Sequence, residues 1–125
     1  MDNHSTKTLY ELLGKKVISQ LVDAFYARVY RHPVLIPLFQ NEIEEVKDKQ
    51  FCFLSQFLGG PQLYNEKYGH PRMRMRHMPH RIDEKAMEAW LSCMKDAIST
   101  LDIEPKLAEA LYNCFPPLAR HMVNS

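Results

Sequence analysis

A chain of 125 residues fits one domain and leaves little room for two. With 46 % hydrophobic and 25 % charged residues it can build a core under a water-compatible surface, and no apolar run approaches the roughly 20 residues a membrane span needs. A formal net charge of +1 argues against a general binder of polyanions such as nucleic acid.

Residues 1–7 are polar and read as a flexible tail ahead of a single domain over residues 8–125. The opening Met1-Asp2-Asn3-His4-Ser5 has neither the basic stretch nor the apolar stretch of a signal peptide, so the cytoplasm is the expected location. Thr8 can cap a short turn over residues 9–13 that Gly14 ends. Val17, Ile18, Leu21, Val22, Phe25, Tyr26 and Val29 then recur at three- and four-residue spacing, which predicts an amphipathic helix. His32-Pro33 ends it, because the residue before a proline is pushed out of the helical region. Residues 34–39 read as a buried connecting turn that places Phe39.

A second helix is predicted over residues 42–58, with Ile43, Val46, Phe53, Leu54, Phe57 and Leu58 on one face and Gly59-Gly60-Pro61 as its stop. Residues 61–70 show no period and read as a loop, long for so small a domain. Pro71 and Pro79 bracket about two helical turns over residues 71–78. Asp83 caps a third long helix carrying Met87, Trp90, Leu91, Met94, Ile98 and Leu101, and Pro105 opens a fourth with Leu107, Leu111, Phe115, Leu118 and Met122. Pro116-Pro117 falls inside that last pattern, and since the period continues past it, a kink is expected rather than a break. Nothing alternates with period two. The predicted class is all-α.

Three inward positions depart from a plain apolar core. Tyr26 follows Val22 by four residues, Gln50 lies four from both Val46 and Leu54, and Trp90 lies between Met87 and Met94. Each carries a hydrogen-bond donor, and leaving one buried and unsatisfied costs about 1–3 kcal/mol. Each can bond a backbone carbonyl, or the three can meet a small polar ligand in a dry pocket. Cys52, Cys93 and Cys114 form no C-x-x-C pair, which leaves reduced thiols packed as small apolar groups.

The other departure is electrostatic. Residues 67–82 carry Lys67, Arg72, Arg74, Arg76 and Arg81 and no acidic residue. Within this stretch Met73 and His77 share a helix face at i, i+4. A lone histidine on an apolar face is usually structural. The cations beside it fit a metal cofactor that bears carboxylates, needing one imidazole, an apolar wall and positive charge at its rim. Haem has those requirements, and without C-x-x-C-H it would be bound non-covalently. His70, His77 and His80 match no standard zinc spacing, and the arginines would repel a divalent cation. A basic surface for a partner protein stays open as a third reading, and a nucleic-acid patch is weak without aromatic interleaving.

The ordered pieces Leu21-Val22-Asp23-Ala24-Phe25-Tyr26, His32-Pro33 through Leu38-Phe39, Gln56-Phe57-Leu58-Gly59-Gly60-Pro61, Gly69-His70-Pro71, Arg76-His77, Ala89-Trp90-Leu91 and Ala119-Arg120-His121-Met122-Val123-Asn124 resemble the truncated haemoglobins of group II, over roughly residues 9–124. The resemblance implies a two-over-two helical sandwich around haem b, with His77 as the iron ligand and Phe39 packed on the ring. It makes Tyr26, Gln50 and Trp90 the distal donors, and it sets Lys49, Tyr64 and Arg76 at the propionates. Leu54 and Met73 are expected to line the cofactor. Val46 falls at the distal gate, where a histidine or a small residue is usual; valine cannot donate a hydrogen bond and is bulkier than alanine, so easy ligand access past it is not expected. The implied function is reversible binding of dioxygen and other diatomic ligands, with slow release through the distal donors. The alternatives are a haem enzyme consuming nitric oxide or peroxide with an external reductase, and a non-haem helical interaction module. A monomer or weak homodimer is expected, with no nucleic-acid or membrane partner.

Overall fold

The computed structural model describes residues 7–36, 43–69, 83–121 and 123, and among these every regular element is a helix. In chain order they are α1 (Leu9–Val29), α2 (Ile43–Phe57), α3 (Leu63–Tyr68), α4 (Glu84–Ser99), α5 (Pro105–Tyr112) and α6 (Phe115–His121).

Thr8 opens α1 with a capping box: its hydroxyl accepts from the Glu11 amide at 3.1 Å, and the Glu11 carboxylate accepts from the Thr8 amide at 2.9 Å. Two orphan donors of the first turn are thereby satisfied. Gly14, at φ 85° and ψ 157°, interrupts the helix at the predicted position, and the long segment beyond it buries Ile18, Leu21, Val22, Phe25, Tyr26 and Val29. Of the turn expected to be buried, Leu35 is buried but Ile36 is exposed; Phe39 lies outside the described residues.

The end of α2 is a Schellman motif. Gly59 sits at φ 96°, its amide bonds Gln56 O at 3.1 Å, and the Gly60 amide reaches back to Ser55 O at 2.7 Å. The start of α1 docks on this corner, with the Tyr10 amide bonded to Leu58 O at 3.0 Å.

Two expectations are corrected. The loop predicted over residues 61–70 contains α3, a six-residue helix too short to show a period. It is pinned to α2 rather than driven by an apolar stripe: the Asn65 amide donates to Gln56 Oε1 at 3.0 Å, and Gln56 Nε2 donates to Asn65 Oδ1 at 3.1 Å. The kink predicted at Pro116-Pro117 is a break. The chain leaves the helix at Asn113, and both prolines fall in the first turn of α6. Amides of a first turn have no helical acceptor, so the prolines forfeit no bond there. The predicted helix over residues 71–78 lies outside the described residues.

Asp83 caps α4 as read from the sequence, accepting from the Ala86 amide at 2.9 Å. Helix α1 packs on both α2 and α4, α3 packs on α2, and α5 and α6 pack on α4. The fully buried centre, Ile18, Leu21, Phe25, Leu54, Met94, Leu111 and Phe115, draws on α1, α2, α4, α5 and α6. Each such side chain contributes on the order of 1.5–3 kcal/mol by burial. Among the described residues no helix is long and apolar enough to cross a membrane.

Candidate functional site

Helix α1 presents Tyr26 to the interior, 3 % exposed, and α4 presents Trp90, 9 % exposed. Phe25 joins them. Its ring meets Tyr26 edge-on at 4.9 Å between centroids and Trp90 at 5.2 Å, while Trp90 also meets Phe115 at 5.8 Å. Rings locked on two sides cannot turn without breaking core packing, so two of the three predicted donors are held rigidly. Burial pushes the Tyr26 phenol far above its usual pKa, reinforced by the neighbouring Tyr30. Tyr26 therefore keeps its proton at any physiological pH and stays a donor.

Gln50, the third predicted donor, is half-buried on α2, as are Val46 and Lys49, whereas Leu54 one turn beyond Gln50 is fully buried. Val46, Gln50 and Leu54 follow one another at four-residue spacing and so lie along one face of α2. The helix is thus tightly enclosed at its C-terminal half and looser around Gln50.

Lys49 and Tyr64, predicted at the carboxylate rim, lie on α2 and α3 and each neighbours Tyr68. Tyr64 is buried, its ring edge-on to Phe53 at 6.1 Å and 5.2 Å from Tyr68. The Lys49 ammonium stands 5.4 Å from the centre of the Tyr68 ring and 3.4 Å from Glu45. Asp48 accepts from the Tyr68 hydroxyl and from Lys67 at 2.7 Å. Those bonds, Lys67 first and Tyr68 second, hold the Asp48 carboxyl below its usual range.

Phe39, Met73, Arg76 and His77 lie outside the described residues, as do His70 and His80. Among the described residues there is no group of three or more potential metal ligands. Cys52, Cys93 and Cys114 are free thiols, each with its pKa raised chiefly by burial, which suits the packing role read from the sequence. An open groove of about 770 Å³ between α1 and α2 is lined in part by Lys15, Lys16, Asp23, Lys47 and Phe51. It includes neither Tyr26, Gln50 nor Trp90, and its Lys47 and Asp23 pair with each other at 3.2 Å.

Sequence reasoning missed four residues of this region. Phe25 was legible only as one more apolar residue of its stripe. Tyr30 places a buried hydroxyl, without a hydrogen-bond partner among the described residues, beside Tyr26, ring centroids 6.2 Å apart. Asp48 and Tyr68 are brought together from twenty residues apart, and only the fold makes them neighbours.

The donor set suits haem on the sides the structure describes: protonated, rigid donors from α1 and α4, an apolar body through Leu54 and Phe53, and an ammonium at the α2–α3 seam. A family model for bacterial-like globins matches residues 8–124. A group 2 truncated haemoglobin of Bacillus subtilis is 49 % identical over 115 residues, covering 92 % of this chain and 87 % of that protein. The chain belongs to the group II truncated haemoglobins. A solved truncated oxygen-avid haemoglobin from Bacillus subtilis superposes with a TM-score of 0.89 at 47 % identity, over 94 % of this chain and all of that one. The group II truncated haemoglobin of Bacillus anthracis gives 0.91 at 42 % identity, over 97 % and 94 %. This truncated haemoglobin thus has the two-over-two helical fold of a haem-binding globin. Helices α1 and α4 bury Tyr26 and Trp90, two of the three residues picked out by periodicity, and α2 carries the half-buried third, Gln50.

Proposed function

We propose that this truncated haemoglobin holds haem b non-covalently through His77 and binds dioxygen reversibly, releasing it slowly. The observation that carries the reading is the fixed pair Tyr26 and Trp90, two buried donors joined by Phe25. Haem, when bound, supplies the iron that takes up a diatomic ligand and shifts electron density onto it. The chain's part is electrostatic. Tyr26 O–H and Trp90 N–H are preorganised in a dry interior, where a donor aimed at developing negative charge acts more strongly than water does. Gln50 adds an amide from α2, and Val46 at the gate excludes water without offering a bond.

The test is oxygen dissociation followed by stopped flow. Tyr26→Phe and Trp90→Phe are each expected to accelerate release by about tenfold or more, the worth of a hydrogen bond to a charged acceptor. Unchanged rates in both variants would remove the donor account. Loss of the Soret band in His77→Ala checks the iron ligand separately.

A further inference from the structure

We propose that Tyr68 is a positioning residue for the cofactor's carboxylate edge: its ring, fixed by Asp48, holds the Lys49 ammonium where a haem propionate is met. The proposal rests on the haem reading above and extends it to residues that neither the sequence pattern nor the family match pointed to.

A lysine ammonium on a four-carbon stem is mobile, and a mobile cation loses more freedom when it binds a carboxylate. Lys49 has restraining partners here. Its Nζ stands over the Tyr68 ring at 5.4 Å, within the range of a cation–π contact, while Lys67 Nζ stands 5.6 Å from the same ring. The ring is itself held at both ends. Its hydroxyl donates to Asp48, and the ring lies against that of Tyr64, which in turn rests on the core residue Phe53. Asp48 is in turn tied to Lys67 at 2.7 Å, so that acceptor is committed within the seam. The carboxylate left to Lys49 is Glu45, at 3.4 Å with its side chain 55 % exposed. Exposed pairs of that kind are weak, and exchanging Glu45 for a propionate sacrifices little. The arrangement is a pre-aimed ammonium with a replaceable partner.

The experiment uses the full-length chain loaded either with haem or with haem dimethyl ester, whose propionates cannot ionise. Cofactor loss to an excess of a scavenging apo-globin is timed for the wild type, Tyr68→Leu, Tyr68→Phe, Lys49→Met and the Tyr68→Leu/Lys49→Met double variant. Tyr68→Leu is expected to accelerate loss of native haem about three- to fivefold and to leave loss of the ester unchanged. The double variant should be no faster than Lys49→Met alone, and Tyr68→Phe, which keeps the ring and loses its Asp48 bond, should fall between wild type and Tyr68→Leu. Equal acceleration of haem and ester would mean that Tyr68 merely packs the seam, and unchanged haem loss would mean that it does nothing for the cofactor. Either result overturns the proposal. If Tyr68→Leu does not fold, Tyr68→Phe and Asp48→Asn give the same contrast between haem and ester. Failure of the wild type to show a Soret band would instead strike the haem reading itself.

Discussion

Phe25 of α1 and Trp90 of α4 meet edge to face, ring centroids 5.2 Å apart and planes inclined at 66°. This contact carries the packing of α1 on α4 through to the donor geometry, since Tyr26 also leans on Phe25, at 4.9 Å. Phe25→Leu keeps most of the buried volume and removes both ring contacts. It is expected to cost about 1–2 kcal/mol, seen as a lower urea midpoint with an unchanged slope. Oxygen release should also quicken, though less than in Tyr26→Phe, because the donor is still present and only its support is gone. A variant with normal stability and normal release would show that Phe25 supports neither helix nor donor.

Much of this was legible in the sequence. The stripes on α1 and α4 fixed which faces turn inward, and a polar residue interrupting an apolar stripe is a local signal that needs no fold to be noticed. Tyr26 and Trp90 were found that way. Helix α3 was not, because six residues hold less than two turns, and its hold on α2 comes from Gln56 and Asn65, nine positions apart. The same limit hid Tyr68 and Asp48, whose relation depends on how α2 and α3 are docked. Pro116-Pro117 was misread for a different reason: the apolar period survives the break at Asn113, so periodicity alone cannot tell a kink from a new helix start.

Burial of Tyr26 also makes an alkaline prediction. Its pKa is raised in the folded chain, chiefly by desolvation, so the folded state holds that proton more tightly than the unfolded state does. The stability linked to it is complete below the unfolded value of about 10 and drains away as pH rises beyond it. Titrating stability from pH 8 to 11, the wild type should lose more than Tyr26→Phe does, and the two curves should run parallel below pH 9. Parallel curves throughout would mean that Tyr26 is not the desolvated phenol described here.

The corner where α1 meets the end of α2 separates two kinds of glycine requirement. A Cβ on Gly60 would lie 2.5 Å from Tyr10 Cγ, whereas one on Gly14 meets nothing within 4 Å. Gly14 instead has φ +85°, a conformation that side chains resist on their own account. Both alanine variants are expected to lose about 1–3 kcal/mol. They should differ in rescue. Truncating the neighbour with Tyr10→Ala, which removes Cγ and the ring carbons bonded to it, should recover part of the Gly60→Ala loss and none of the Gly14→Ala loss, measured as a double-mutant cycle in urea. Equal rescue of both would contradict the steric account of Gly60.

Tyr30 gives the sharpest contrast with its neighbour Tyr26. Its hydroxyl is buried with no hydrogen-bond partner among the described residues, and burial pushes its pKa up against the opposing pull of Lys47. An unsatisfied buried hydroxyl costs roughly 1–3 kcal/mol, so removing it should not weaken the fold. Tyr30→Phe keeps the ring that lies 6.2 Å from Tyr26 and deletes only the orphan oxygen. Urea unfolding of this variant is expected to show unchanged or increased stability, by up to about 1 kcal/mol once solvent exposure of the rest of the side chain is allowed for. Oxygen release should stay close to wild type, since Tyr26 retains its ring support. A clear loss of stability would show instead that the Tyr30 hydroxyl is satisfied in solution, by water held between α1 and its surroundings.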